Sequence, residues 1–202
     1  MINRTRFIVA FLAAAELIVG AAHAGPLDDR SAQALPDALA SPADSGKLEI
    51  GMSIAADAKF VDIVIASVTQ DFSDPKVTAG LSDADRQRLI DMTVKEIVAH
   101  KGAIDRALVE GEVNRFTLEQ LRNIKAVSQL KISQEVILSG AGLGPRPAES
   151  TITPSEQATL TAYSSQPYFF DFMQNMDRAR GKAEAQVAVA DAVARFKATL
   201  PH

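Results

Sequence analysis

The chain has 202 residues, of which 47% are hydrophobic, with 21 lysine and arginine residues against 25 aspartate and glutamate residues. It contains no cysteine, which excludes a disulfide scaffold, a zinc ribbon and a cysteine nucleophile. The apolar content is too high for a wholly disordered chain, and the net charge of −4 argues against strong electrostatic binding of nucleic acid. The length allows one domain, or two small ones, with enough chain to bury a core.

The first 24 residues have the features of an export signal. Two arginines precede an apolar run over residues 7–19, and Ala22 and Ala24 form the small-x-small pattern of a cleavage site before Gly25. The run is shorter than the roughly 20 residues that a membrane-spanning helix needs. It also contains Glu16, a carboxylate that is costly to bury in hydrocarbon. We therefore expect cleavage after Ala24 and a periplasmic or secreted protein, with no membrane span left after cleavage.

The mature chain is expected to consist of a tether and one helical domain. Removal of the leader leaves 178 residues with a net charge of −5. Residues 25–46 are rich in proline, alanine, aspartate and serine, which predicts a flexible N-terminal tether. Residues 47–202 are predicted to form the domain, with residues 140–153 as a loop between its two halves.

Residues 47–72 allow two interpretations. Apolar residues alternate with polar or small ones from Leu48 to Ile54, which is the period of a strand, and a second apolar run starts at Phe60. A short hairpin over residues 47–68 is therefore the alternative prediction. An isolated two-stranded hairpin is marginally stable in water, and no later segment offers a convincing third strand. We therefore expect helices in this region.

The first clear helix signal begins at Ser82, a residue type that caps helix N-termini. Apolar residues then recur with the spacing of one helix face, at Ile90, Val94, Ile97 and Val98. The same face continues beyond Gly102 to Ile104 and Leu108. Gly102 is therefore predicted either to stop this helix or to bend one long helix.

Two capping boxes mark further helices. Thr117 with Gln120 predicts a helix that runs to about Ser139 and stops at Gly140. Thr153 with a glutamate three residues later predicts a helix that ends near Ser164.

A last helix is expected from Tyr168 to Leu200, with Gly181 as its candidate point of division. These elements together predict an all-α protein. We expect a small irregular bundle of about five to seven helices in which neighbours run antiparallel.

The residues that follow the second capping box have a recognisable order. Leu160 and an Ala-Tyr pair at 162–163 are followed by Ser165 and Pro167, with Gln166 between them, and then by an aromatic helix. This order resembles the bacterial envelope family called domain of unknown function 2059, in which a glycine usually follows the proline. The resemblance implies an all-helical periplasmic protein, and it implies no enzymatic activity.

The sequence offers few groups for catalysis or metal binding. The mature chain retains only His100 and His202, so no zinc site can form unless carboxylates dominate its ligands. The glycine-rich residues 140–145 follow a helix and include a proline, which indicates a linker and not a phosphate loop. Glu149 with the serine after it matches the acid and serine of lytic transglycosylases, but the flanking motifs are missing. We expect no catalytic residue, no metal ion and no cofactor.

One cluster of aromatic and methionine residues stands out from the composition. Four of its members recur at the spacing of one helix face, and the others project beyond that stripe. Core packing is one interpretation, and a groove or patch for a lipid, a peptide or a partner helix is the other. The candidate binding residues are Tyr163, Tyr168, Phe169, Phe170, Phe172, Met173 and Met176.

Three functions are compatible with these features. The first is a non-catalytic exported protein that binds a protein or peptide partner as an adaptor, chaperone or scaffold. The second is a carrier of a lipid or small apolar molecule in a cavity between helices. The third is a carboxylate-based envelope hydrolase that uses Glu149. The absence of a catalytic constellation from the sequence favours binding over catalysis.

Overall fold

A computed structural model describes residues 42–148 and 152–200 of the chain. These residues form α-helices joined by turns and contain no strand, which confirms the predicted all-α class. The predicted leader, its cleavage site at Ala22, Ala24 and Gly25, and most of the tether lie outside the described residues. In chain order the helices are α1 (Pro42–Asp57), α2 (Phe60–Ser73), α3 (Asp83–Ala99), α4 (Lys101–Val109), α5 (Leu118–Ser128), α6 (Lys131–Gly140), α7 (Pro154–Tyr163), α8 (Pro167–Asn175) and α9 (Arg178–Lys197).

The hairpin alternative over residues 47–68 is wrong, because α1 and α2 occupy this segment. The chain turns between them at Lys59, whose φ of 57° places it in the left-handed region. α1 packs against α4, α5 and the short 3-10 helix Val113–Arg115, so it needs apolar residues on more than one side. This requirement explains why its sequence does not show a single helical stripe. α1 also begins at Pro42, so residues 42–46, which were assigned to the tether, are helical.

α3 begins where the sequence predicts it. The Ser82 side chain accepts a hydrogen bond from the backbone N–H of Asp85, at 3.1 Å between Oγ and N. α3 and α4 meet at His100, whose φ of −86° and ψ of 0° break the helix two residues before Gly102. On the predicted stripe, Ile97 is buried, whereas Val98 is 54% exposed, so that part of the stripe prediction is wrong.

The capping box at Thr117 is confirmed, since its side chain and that of Gln120 each bond the other residue's backbone N–H. The predicted helix to Ser139 is nevertheless two helices, because α5 ends at Ser128. The Ser128 hydroxyl donates to the carboxylate of Asp57 in α1, at 2.9 Å, and to a backbone carbonyl three residues back. Such side-chain hydrogen bonds compete with helix continuation. Here the bond to Asp57 also joins the end of α5 to α1.

The expected last helix is also divided, but not at Gly181. The division falls at Met176 and Asp177, between α8 and α9. The backbone N–H of Asp177 donates to the carbonyl of Leu108 in α4, at 2.8 Å, and its carboxylate caps α9 by accepting from the N–H of Arg180. These splits explain why the described part of the bundle holds nine α-helices when about five to seven were expected.

α9 lies at the centre of the helix contacts, because it packs along both α3 and α4. Gly181 permits this approach: a Cβ at that position would lie 2.6 Å from Cδ2 of Leu108 and 3.4 Å from Cε1 of Phe60. α2 also packs against α3, so α2 and α9 share a neighbour. No helix in the described ranges is long and apolar enough to cross a membrane.

Candidate ligand-binding groove

The aromatic and methionine cluster predicted to bind a partner belongs mainly to the core. Four of its side chains, Phe169, Phe172, Met173 and Met176, are buried. Phe172 packs edge to face against Phe116, with ring centroids 5.3 Å apart.

The other three members of this cluster, Tyr163, Tyr168 and Phe170, are half-buried and pack against the core. The Tyr168 hydroxyl accepts a hydrogen bond from Nδ2 of Asn123 in α5, at 3.2 Å. A buried tyrosine usually engages its hydroxyl in this way, so the bond joins α8 to α5. The seven residues together form one side of the folded core.

A different apolar surface remains open between α2 and α9. A cavity of about 370 Å³ lies there, within the range of about 300–1,000 Å³ that is typical of small-molecule sites. We call this cavity the α2–α9 groove. Its apolar walls are formed by Phe60, Val64, Val68, Phe72, Ala185 and Val189.

The periodicity of the two helices produces these walls. Phe60, Val64, Val68 and Phe72 follow one another at intervals of four residues along α2, which places them along one side of the helix. Val64 and Val68 are half-buried, so α3 does not cover them completely. Small residues on α9, such as Ala185, leave room between the helices. The groove is therefore an apolar surface that no helix of the described ranges covers.

Polar groups lie at defined positions along the groove. Arg178 and Lys182 line it from the first turns of α9, and Asp71 lines it from the last turn of α2. Phe60 lies beside Gly181, so the two cations are at the end of the groove where α2 begins. Asp71 is eleven residues further along α2, which corresponds to about 16 Å along the helix axis. One end of the groove is therefore basic, and the carboxylate is remote from it.

Arg178 is held in place by the fold. Its Nη2 donates to the backbone carbonyl of Met173 in α8, at 3.0 Å. Burial lowers the pKa of Arg178 from its ordinary value, because desolvation disfavours the charged form. A guanidinium nevertheless stays protonated in proteins, so Arg178 contributes a positive charge at this end of the groove.

Sequence reasoning missed this groove. Arg178 and Lys182 lie about a hundred residues from α2 in the chain, and Val64 and Val68 have the same spacing as a core stripe. The available signal was the breadth of the apolar surface on α2, where Ile63 and Ile65 flank Val64. The apolar surface of α2 is therefore wider than one packed helix neighbour covers.

The remaining candidate residues have separate outcomes. Glu149 and His202 lie outside the described residues, and His100 lies at the joint between α3 and α4. Comparisons of the chain with protein-family models, with curated proteins and with solved structures find no match.

Proposed function

We propose that this protein is a non-catalytic carrier that binds an amphiphile with one anionic group in the α2–α9 groove. The observation that carries the proposal is the combination of apolar walls with a basic end formed by Arg178 and Lys182. An alkyl chain would displace water from Val64, Val68 and Val189, which gives roughly 0.8 kcal/mol for each methylene group that it buries. The anionic group would lie at the basic end.

Export fits this function and remains part of the proposal. The arginines before residue 7, the apolar run and the alanines at 22 and 24 support a cleaved signal peptide and a periplasmic or secreted location. The resemblance to domain of unknown function 2059 supports the same location. A protein that carries an apolar molecule between membranes or enzymes needs a groove that shields it from water, and the α2–α9 groove supplies such a surface.

The carrier function is favoured over the adaptor function by the location of the open apolar surface. The adaptor hypothesis relied on the aromatic cluster, but Phe169, Phe172, Met173 and Met176 are buried in the core. A partner helix would also require a longer exposed stripe than the half-buried valines of α2 provide.

The first test is titration of the purified protein, stripped of copurified lipid, with dodecanoate and with dodecanol, each below its aggregation concentration. Calorimetry is expected to show one saturable site for dodecanoate. Dodecanol is expected to bind at least about tenfold more weakly, because it lacks the charge that Arg178 and Lys182 would pair with. Absence of saturable binding of dodecanoate would refute the carrier function.

A matched pair of lysine variants tests the orientation of the ligand. Lys182→Gln is expected to weaken dodecanoate binding about tenfold while leaving dodecanol binding unchanged. Lys197→Gln removes the same charge from the last turn of α9, outside the groove, and is expected to change neither affinity. Equal weakening by the two variants would show that the effect is general electrostatics and not a head-group site.

A further inference from the structure

A second site lies on the other flank of α9, where it packs against α3. One ligand atom from each of Glu96, His100 and Asp191 lies within 4.8 Å of the other two. Glu96 lies in the last turn of α3, His100 is the residue that follows this helix, and Asp191 faces them from α9. Residues from the two helices, about ninety positions apart in the chain, therefore meet at one point.

The imidazole of His100 is positioned between two carboxylates. Its Nε2 lies 3.6 Å from Oε1 of Glu96, and its Nδ1 lies 3.4 Å from Oε1 of Glu184. The first contact is along α3 and the second crosses to α9. Each ring nitrogen thus faces an oxygen, so one nitrogen can bind an ion while the other donates its N–H to a carboxylate.

The contacts of the two His100 ring nitrogens resemble those of a metal-bound histidine. Metal-bound histidines usually donate their second ring N–H to a carboxylate, which fixes the ring and increases its basicity as a ligand. Glu184 occupies that position here, beyond the group formed by Glu96, His100 and Asp191. The contact between Glu184 and His100 is therefore separate from the proximity of the three ligand residues.

The carboxylate of Glu96 is oriented independently of His100. Its Oε2 accepts a hydrogen bond from Nη1 of Arg195, at 2.8 Å, which leaves Oε1 directed towards the imidazole. The side chain of Glu96 is only 13% exposed, so its position is restricted. Asp191 is exposed and makes no ion pair with another described residue, which leaves its carboxylate available as a ligand.

We propose that Glu96, His100 and Asp191 bind a divalent transition-metal ion of the Zn²⁺ class, with Glu184 as the hydrogen-bond partner of His100. Zn²⁺ binds imidazole and carboxylate ligands at about 2.0–2.2 Å, which separates the ligand atoms of a tetrahedral site by roughly 3.3–3.6 Å. The distance between Glu96 and His100 already matches this spacing, and a rotamer change of the exposed Asp191 can close the third side. Water would complete the coordination, and the ion would join α3 to α9.

One imidazole selects the class of ion. Calcium and magnesium prefer sites made only of oxygen ligands, whereas imidazole suits zinc, copper and nickel. A simple acidic patch would bind Ca²⁺ and would not depend on a histidine. The requirement for His100 therefore separates a metal site from an accumulation of negative charge.

The test is calorimetric titration of the tag-free full chain with Zn²⁺ alone, followed by titration with Ca²⁺. One equivalent of Zn²⁺ is expected to bind and to raise the melting temperature, while Ca²⁺ is expected to show no saturable binding. His202 is the other histidine of the expected mature chain and provides a matched control. His100→Ala is expected to abolish the saturable phase, and His202→Ala is expected to retain it.

Two further variants keep the proposal falsifiable if His100→Ala disturbs the joint between α3 and α4. Asp191→Asn changes an exposed ligand without affecting the core, and it is expected to weaken Zn²⁺ binding at least about tenfold. Glu184→Gln is expected to weaken it by about tenfold to a hundredfold, as is typical for a carboxylate behind a ligating histidine. Zn²⁺ binding by Asp191→Asn equal to that of the wild type, or equal competition by Ca²⁺, would overturn the assignment.

Discussion

α8 and the α2–α9 groove are both rich in apolar side chains, but the two regions differ in their access to solvent. Phe169 and Phe172 of α8 are enclosed in the core, and Phe172 has no exposed surface. In the groove, by contrast, Val64, Val68 and Val189 are half-buried and line a cavity. In this bundle, the access of apolar side chains to solvent, and not aromatic content, identifies the candidate binding surface.

The difference has its origin in what covers the apolar face of each helix. α8 is a short helix whose buried face is covered by core residues such as Phe116. α2 and α9 both pack against α3, and no described helix covers the side on which they face each other. The first arrangement supplies stability, and the second leaves an apolar surface for a ligand.

A pair of phenylalanine variants gives the largest expected contrast between the two regions. Phe172→Ala is expected to lower the free energy of unfolding by about 3–5 kcal/mol, because it leaves a cavity in the core and removes the contact with Phe116. Phe72→Ala, at the groove, is expected to cost roughly 1 kcal/mol, since its ring is already partly exposed. Urea denaturation measures both. Equal costs would contradict the distinction between core and groove.

Two glycines test the close packing of α9 against α4. Gly181→Ala is expected to destabilise the protein by about 1–2 kcal/mol, because the new methyl group overlaps the buried Leu108. The free-energy cost of this overlap exceeds the gain in helix propensity from alanine. Gly102→Ala, in α4, meets no atom within 4 Å and is expected to stabilise by about 0.5–1 kcal/mol. Thermal unfolding of the two variants should therefore shift in opposite directions, and a stabilising Gly181→Ala would disprove the close approach.

Asp105 provides a smaller, pH-dependent test of burial in the core. Desolvation raises the pKa of Asp105 above its usual range, although Lys101 Nζ lies 2.6 Å from its Oδ2. The folded protein therefore retains a proton that the unfolded chain releases, and stability falls as the pH rises through that interval. Asp105→Asn is expected to be more stable than the wild type by about 1 kcal/mol at neutral pH.

The advantage of Asp105→Asn should shrink as the pH is lowered, because the folded wild type then takes up a proton at Asp105 and no longer buries a charge. Urea denaturation at several pH values measures this trend. An advantage that stays constant over the range would show that the side chain acts through packing and not through its charge.

The sequence predicted local features of the fold better than their arrangement. The capping boxes at Thr117 and Thr153 are present, because a cap depends on residues three positions apart. The breaks at Ser128 and Asp177 were missed, because each depends on a bond to a distant helix, to Asp57 in α1 or to Leu108 in α4. The all-α class followed from local patterns, whereas the helix count required tertiary contacts.

The candidate site was harder to predict for the same reason. The spacing of Phe169, Phe172 and Met173 describes a helix face correctly, but a face packed into the core and a face open to a ligand have the same spacing. The groove is formed by α2 and α9 together, and only their positions beside α3 bring Val68 and Val189 to one cavity. Local sequence patterns contain no information on that juxtaposition.

The most direct test of the carrier function is a pair of glutamate variants on α9. Val189→Glu places a carboxylate in the groove, whereas Val187→Glu places the same charge two residues away at a position that is already 50% exposed. Calorimetry with dodecanoate should show binding lost in Val189→Glu and retained in Val187→Glu, with both proteins folded by circular dichroism. Unchanged binding by Val189→Glu would contradict the assignment of the α2–α9 groove as the ligand site.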